Sequence, residues 1–268
     1  MIFISPGGWF SLEYPANWSE FEDSEETFLF YNPNQWNGNF RISAYKGETK
    51  DYASQCVAYE LKNNPTSSPV QVGDWACAYS AETFQEEGAW YTTHIWVTGK
   101  SDICFECSFT VAKGSARNAA EDILRTLIIR TGKEGKEIIP IRVLEIGEVN
   151  AAFEWASATI KKNLTKDFTT QEEDIVKLQA LVDGGKIQSN QRTAWESIGL
   201  AFGSILENEM EGMTWVSVID GHHEYAALQF GDFLVNPAHW VWSKAKVKQS
   251  IDLKAEFARI KEEVEKRL

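Results

Sequence analysis

The pattern of apolar and polar residues changes character about halfway along the chain. In the first half, "WFSLEY" (9–14) alternates, which places Phe10, Leu12 and Tyr14 on one face of a strand that Pro15 ends. "TFLFYN" and "NFRISAY" predict two further strands, joined by the turn-rich "NPNQWNG". "KDYASQCVAYELKN" carries Tyr52/Ala53, Cys56/Val57 and Leu61 at helical spacing and stops at "NNP". Three more strands are predicted in "VGDWACAYSA", "AWYTTHIWV" and "ICFECSFTV", the last two joined through the short hairpin "TGKSD". "SARNAAEDILRTLIIR" then reads as an amphipathic helix capped by Ser115, with Ile123, Leu124, Leu127 and Ile128 on its buried stripe.

"TGKEGKEIIP" (131–140), charged and punctuated by two Gly and a Pro, is the expected linker. Beyond it helices dominate. "EVNAAFEWASATIKKNL" is helical, and "TTQEEDIVKLQALVDGG" offers a capping box of Thr169 with Glu172 and a stop at Gly184–Gly185. "QRTAWESIGLAFGSILENEM" sets Trp195, Ile198, Phe202, Ile205 and Glu209 at helical intervals. "TWVSVI" and "YAALQF" predict a β-hairpin turning at Gly221–His222 or at Asp220–Gly221, and Asn236–Pro237 marks a helix start. In the last helix Leu253, Phe257, Ile260 and Val264 form a narrow stripe, which docks on its own domain or pairs two copies of the chain.

"WFSLEYPANW" followed by "TFLFYN" resembles the opening of the PsbP-like, Mog-type fold, in which an early strand ends in Tyr-Pro with a Trp soon after. The resemblance covers about the first 130 residues and implies an antiparallel sheet flanked by helices. The whole chain looks like a bacterial arrangement of such a module with a second domain, both of unknown function. The expected fold class is therefore α+β: a PsbP-like/Mog-type domain over 1–131, then a mostly helical α+β domain with a β-hairpin over 138–268.

Charge narrows the partners. The formal net charge is −13, with 24% charged and 43% hydrophobic residues. Such a surface repels phosphate backbones, so no nucleic-acid partner is expected; it would suit a basic partner or serve solubility alone. No apolar run is long enough for a membrane helix and the N-terminus lacks a secretory pattern, so no membrane association and a cytoplasmic location are expected. Cys56, Cys77, Cys104 and Cys107 do not suggest a disulfide framework. The C-x-x-C of Cys104 and Cys107 lies in an alternating strand, where an odd separation sends the two thiols to opposite faces.

Candidate chemistry is sparse. Asp220, His222, His223 and Glu224 crowd together, and in the first hairpin register Asp220 faces His223 as a surface pair. His222 and His223 diverge, and no helical H-x-x-x-H spacing is present, so neither a metal nor another cofactor is expected. No nucleophile elbow or phosphate loop occurs, and "DGGK" follows a helix instead of opening one. The 11 tryptophans offer another possibility. Trp90, His94 and Trp96 share one strand face and Trp75 alternates with Tyr79, so part of this sheet, with Trp36 from its loop, could form an open binding platform. The resulting expectation is a non-enzymatic binding protein that recognises a protein, such as a basic toxin-like one, or a small ligand. The candidate binding residues are Trp36, Trp75, Trp90, His94, Trp96, Asp220 and His223. The alternatives are a hydrolase-type enzyme using Asp220 and His223, with His239 as a further candidate, and a structural homodimer through the C-terminal helix.

Overall fold

Antiparallel sheets flanked by helices make up an α+β fold in the computed structural model, which describes residues 1–24 and 27–268. The chain divides into two units, Met1–Glu134 and Gly135–Leu268. The first contains β1 (Ile2–Ile4), β2 (Phe10–Glu13), β3 (Ser19–Ser24), β4 (Thr27–Tyr31), β5 (Asn39–Lys46) and α1 (Tyr52–Asn63). It continues with β6 (Ser68–Val72), β7 (Trp75–Glu86), β8 (Ala89–Lys100), β9 (Ile103–Ala112), α2 (Asn118–Arg125) and β10 (Ile128–Ile129). Seven strands form one sheet in the order β3-β4-β5-β9-β8-β7-β6, and β1, β2 and β10 form a smaller one.

The apolar residues of the two sheets meet in one core. Phe10 and Leu12 of β2 pack with Phe28, Phe30, Phe40, Phe105 and Trp96, all nearly or completely excluded from solvent. α1 lies on the other face of the large sheet, over Ala78, Val97 and Cys104. Cys107 belongs to the main core and Cys104 to the α1 side, as strand parity requires. Burial pushes both thiols well above their ordinary pKa, so neither is poised as a thiolate.

Three local readings of the first unit are corrected. "VGDW" is a two-residue turn, with Val72 paired to Trp75 and Gly73 at φ 58°. The strand before it, β6, contains Pro69, which is tolerated because β6 is the sheet edge. The helix after β9 stops at Arg125 and starts after Arg117, not Ser115. Ile128, expected on its buried stripe, is 61% exposed and begins β10, which pairs with β2.

The second unit contains β11 (Glu137–Pro140), α3 (Val143–Leu164), α4 (Ile175–Asp183), α5 (Arg192–Glu209), β12 (Thr214–Asp220), β13 (His223–Phe230), β14 (Phe233–Val235), α6 (Pro237–Lys246) and α7 (Leu253–Glu265). Its sheet runs β11-β12-β13-β14, all antiparallel. β11 occupies part of the stretch expected to be linker. The helices share a core that includes Ile198, Phe202 and Ile205 of α5 and Leu253, Phe257 and Ile260 of α7, with α7 packed on α4. The α7 stripe is therefore buried within its own unit, which removes the surface on which a helix-mediated homodimer depended.

Thr169 does not cap a helix through Glu172. Instead its N–H and Oγ both donate to the buried Asp174 carboxylate, at 2.5 and 3.2 Å. Asn236 does cap α6, its side chain accepting from the His239 N–H at 2.8 Å. The β12–β13 hairpin turns on Gly221–His222, pairing Asp220 with His223, with Gly221 at φ 64°. A positive φ confined to the first central residue, a Gly, is the signature of a type II′ turn.

Candidate functional site

The second unit holds a cleft of about 960 Å³, bounded by α3, the first turns of α5 and α6, and the hairpin end of β13. α3 contributes Glu148, Ala151, Ala152 and Trp155, whose spacing places them on one helical face. The two alanines leave the space that Trp155 and Glu148 border. α5 contributes Arg192, Glu196 and Ser197; α6 contributes Ala238 and His239; the hairpin contributes Asp220 and His223 to Ala226. The wall between α5 and α6 depends on Gly199: a Cβ there would lie 2.4 Å from the Pro237 carbonyl oxygen and 2.6 Å from Ala238 Cα.

A polar network lies behind the hairpin side of the cleft. Arg142 and Glu224, both almost wholly buried, pair at 3.2 Å. Ser217 accepts from the Arg142 N–H at 3.0 Å and donates to the Glu145 carboxylate at 2.9 Å. In the cleft itself Arg192 pairs with Glu196 at 2.8 Å and Lys136 approaches Asp220 at 4.0 Å. Glu148 has no ion pair among the described residues. Its enclosure by the cleft walls, then the neighbouring carboxylates Glu145 and Glu196, raise its pKa above the ordinary carboxylate value. Its side chain remains exposed to the cleft, so this push is far smaller than burial in a core would give.

The cleft gathers Asp220, His223 and His239. Asp220 and His223 are opposite in register, as expected, and the Asp220 carboxylate lies 4.0 Å from the ammonium of Lys136, which immediately precedes β11. His222 is exposed in the turn and does not line the cleft. Among the described residues no group of His, Cys, Asp or Glu has an arrangement that could hold a metal ion.

The aromatic residues do not make one platform. Trp75 and Trp96 are 8% and 0% exposed and belong to the core, and the Trp75 Nε1–H donates to the Leu127 carbonyl. His94 bonds Tyr79 Oη through Nδ1 at 2.7 Å and stacks on its ring. Enclosure and then Arg117 push its pKa below the ordinary imidazole value. Trp36 and Trp90 are exposed but belong to different surfaces. Trp36 meets Tyr91 edge-on, next to Phe84, whereas Trp90 lies on the opposite strand face under Lys113.

Sequence reasoning missed Glu148, Trp155 and Arg192. The one signal available for the first two was their common face with Ala151 and Ala152 within "EVNAAFEWA", a face whose small residues fill little volume.

Residues 1–150 match the family described as Domain of unknown function (DUF3805), and the chain belongs to that family. Residues 174–257 match a second family, Domain of unknown function (DUF3806). A crystal structure of a protein from Bacteroides thetaiotaomicron VPI-5482 is 46% identical, covers 96% of each chain and superposes with a TM-score of 0.82. Two solved structures are more distant. LpqN, described as involved in cell envelope biogenesis of Mycobacterium tuberculosis, is 16% identical over 45% of this chain and 82% of its own, with a TM-score of 0.31. Cyanobacterial PsbP from Synechocystis sp. PCC 6803 is 10% identical over 48% of this chain and 91% of its own, with a TM-score of 0.27. No curated protein matches the chain. Among the described residues no helix is long and apolar enough to cross a membrane.

Proposed function

We propose that this is a non-catalytic binding protein that recognises a positively charged ligand or partner, with the cleft of the second unit as its recognition site. The observation that carries this reading is Glu148: a carboxylate with no ion pair among the described residues, on a wall shared with Trp155, its pKa raised by enclosure in the cleft and then by two acidic neighbours. A cation placed there relieves the repulsion, and the indole supplies an apolar and cation-accepting surface. The volume lies at the upper end of the range for ligand sites, about 300–1,000 Å³. The net charge of −13 favours the approach of a basic partner, including a basic toxin-like protein. Calorimetry of the full chain with cadaverine, arginine and glutamate at low and high salt tests this. Binding of the two cations, weakened by salt and by Glu148→Gln, is expected; equal or exclusive binding of glutamate would refute it.

A second reading is favoured by one observation, the convergence of His223, His239 and Glu148 on a single cleft. It makes the protein a hydrolase-type enzyme in which His223 acts as base. An ester and amide hydrolysis screen in which His223→Ala leaves every detected activity intact would eliminate it.

A further inference from the structure

α1 lies on the face of the seven-stranded sheet opposite the main core, over a small cluster in which Ala78, Val97 and Cys104 are buried beneath Cys56, Val57 and Leu61. Two features hold the helix close to β9. The Ala53 N–H donates to the Ser101 carbonyl in the β8–β9 turn at 3.0 Å, which anchors the first turn of α1. Gly99, paired with Cys104 in the sheet, leaves the helix room: a Cβ there would lie 2.9 Å from both the Ala53 Cβ and the Cys104 Cα. Ala53 and Cys104 are therefore neighbours across the helix–sheet contact, and Cys56 follows Ala53 by three residues on the same helical face. The thiols of Cys56 and Cys104 meet there as hydrogen-bond partners, and the Tyr52 hydroxyl bonds the Cys56 sulfur from one turn before. A disulfide spans only Cα atoms within about 7 Å whose side chains point at each other, and thiols already partnered across so close a contact suit it. Their accessibilities differ. Cys56 is half-buried and reachable from solvent, whereas Cys104 is 3% exposed.

We propose that Cys56 and Cys104 form a reversible oxidation site, in which hydrogen peroxide oxidises Cys56 and Cys104 then closes a disulfide that clamps α1 to β9. The Cys56 sulfur attacks the peroxide; the O–O bond breaks, an S–O bond forms, and the products are the sulfenic acid and one water. The sulfur gives up two electrons, which reduce the peroxide. Cys104 next displaces the hydroxyl group: the S–S bond forms, the S–O bond breaks, and the Cys104 proton leaves with the hydroxide as a second water. A dithiol reverses the bond by thiol–disulfide exchange. Cys77 and Cys107 lie in the core on the other sheet face and remain thiols. The site belongs to the first unit and stands independently of the cleft.

The test treats the folded full chain with millimolar hydrogen peroxide, alkylates the remaining thiols before and after unfolding, and maps the peptides by mass spectrometry. A Cys56–Cys104 cross-linked peptide, lower in mass by two hydrogens and removed by dithiothreitol, is expected, with Cys77 and Cys107 alkylated only after unfolding. In hydrogen exchange the α1 amides of the oxidised chain are expected to slow about tenfold, since the helix no longer lifts from the sheet by itself. Cys56→Ser, at a half-buried position and checked for an unchanged melting transition, should abolish both the cross-link and the slowing. In Cys104→Ser, which lacks the resolving thiol, Cys56 is expected to advance to the sulfinic acid. Sulfinic acid at Cys56 of the parent chain with Cys104 still a thiol, a cross-link that forms only in urea, or one that joins two chains would overturn the inference. So would α1 amides that exchange equally fast in the oxidised and reduced chains.

Discussion

Two carboxylates of the second unit, Glu148 and Asp174, are shifted in opposite directions by their surroundings. Glu148 has a raised pKa, so between its unfolded and folded values the folded state holds more protons, and stability falls as pH rises through that window. Its cost to the fold is complete above the folded value and absent below the unfolded one. Glu148→Gln is therefore expected to stabilise the chain at neutral pH by no more than about 0.5 kcal/mol, as befits an exposed position. Thermal melts should show this gain vanish below the ordinary carboxylate range. Asp174 is wholly buried. Burial pushes it upward, but hydrogen bonds from Lys177 and from Thr169 outweigh that and leave its pKa lowered. Its contribution is present above the unfolded pKa and is lost as pH falls through the folded one. Removing one partner of a buried pair leaves the other uncompensated, so Asp174→Ala is expected to cost about 3–5 kcal/mol. Urea unfolding at neutral pH measures this, and the difference from wild type should shrink under acid.

Among elements, the approach of α5 to α6 is the most sharply constrained. Gly199 lies in helical backbone, where Ala would ordinarily gain up to about 1 kcal/mol. Here the added methyl meets the Pro237 carbonyl and Ala238 Cα, both backbone, so α6 must move. Gly199→Ala is expected to destabilise by about 1–3 kcal/mol through overpacking. It should also weaken cleft binding, because Ala238 and His239 move with α6; denaturation and ligand titration of the variant check both effects. The same scale shows what could be read from the sequence. The parity of β9 was legible because a strand with one face in each of two cores must alternate strictly, and Cys104 and Cys107 obey it. The Asn236–Pro237 start was legible because capping is local chemistry. The end of α2 was not: "LIIR" continues the helical spacing, and only pairing with β2, over a hundred residues earlier, diverts Ile128 and Ile129 into a strand. The cleft was legible only at its hairpin, where Asp220 and His223 are close in sequence. Glu148, Arg192 and His239 converge on it through tertiary packing, and nothing in the spacing of each helix distinguishes a face lining a cavity from one meeting solvent.

At the scale of the whole molecule, acidity is shared: residues 1–131 carry 9 basic and 17 acidic side chains and residues 132–268 carry 17 and 22. The proposed attraction of basic partners at low salt would therefore draw on both units, and cleft variants are needed to assign it to one. The boundary between the units has a sharper consequence. The match to DUF3805 runs to residue 150, through β11 and into α3, whereas the contacts divide the chain after Glu134. β11 pairs with β12 from Glu137 to Pro140, and Arg142 and Glu145 join Ser217 and Glu224 in the network beside the cleft. A fragment of residues 151–268 would lose an edge strand, the first turns of α3 and both of those charged residues. It would leave Glu224 buried without Arg142, a loss of about 3–5 kcal/mol out of the roughly 5–15 kcal/mol that holds a domain folded, on top of the lost strand and helical turns. Residues 135–268 keep every one of these contacts. The longer fragment is expected to melt cooperatively and the shorter one to show no transition, in circular dichroism of the two. A cooperative transition in 151–268 would place the structural boundary at the end of the family match instead of before β11.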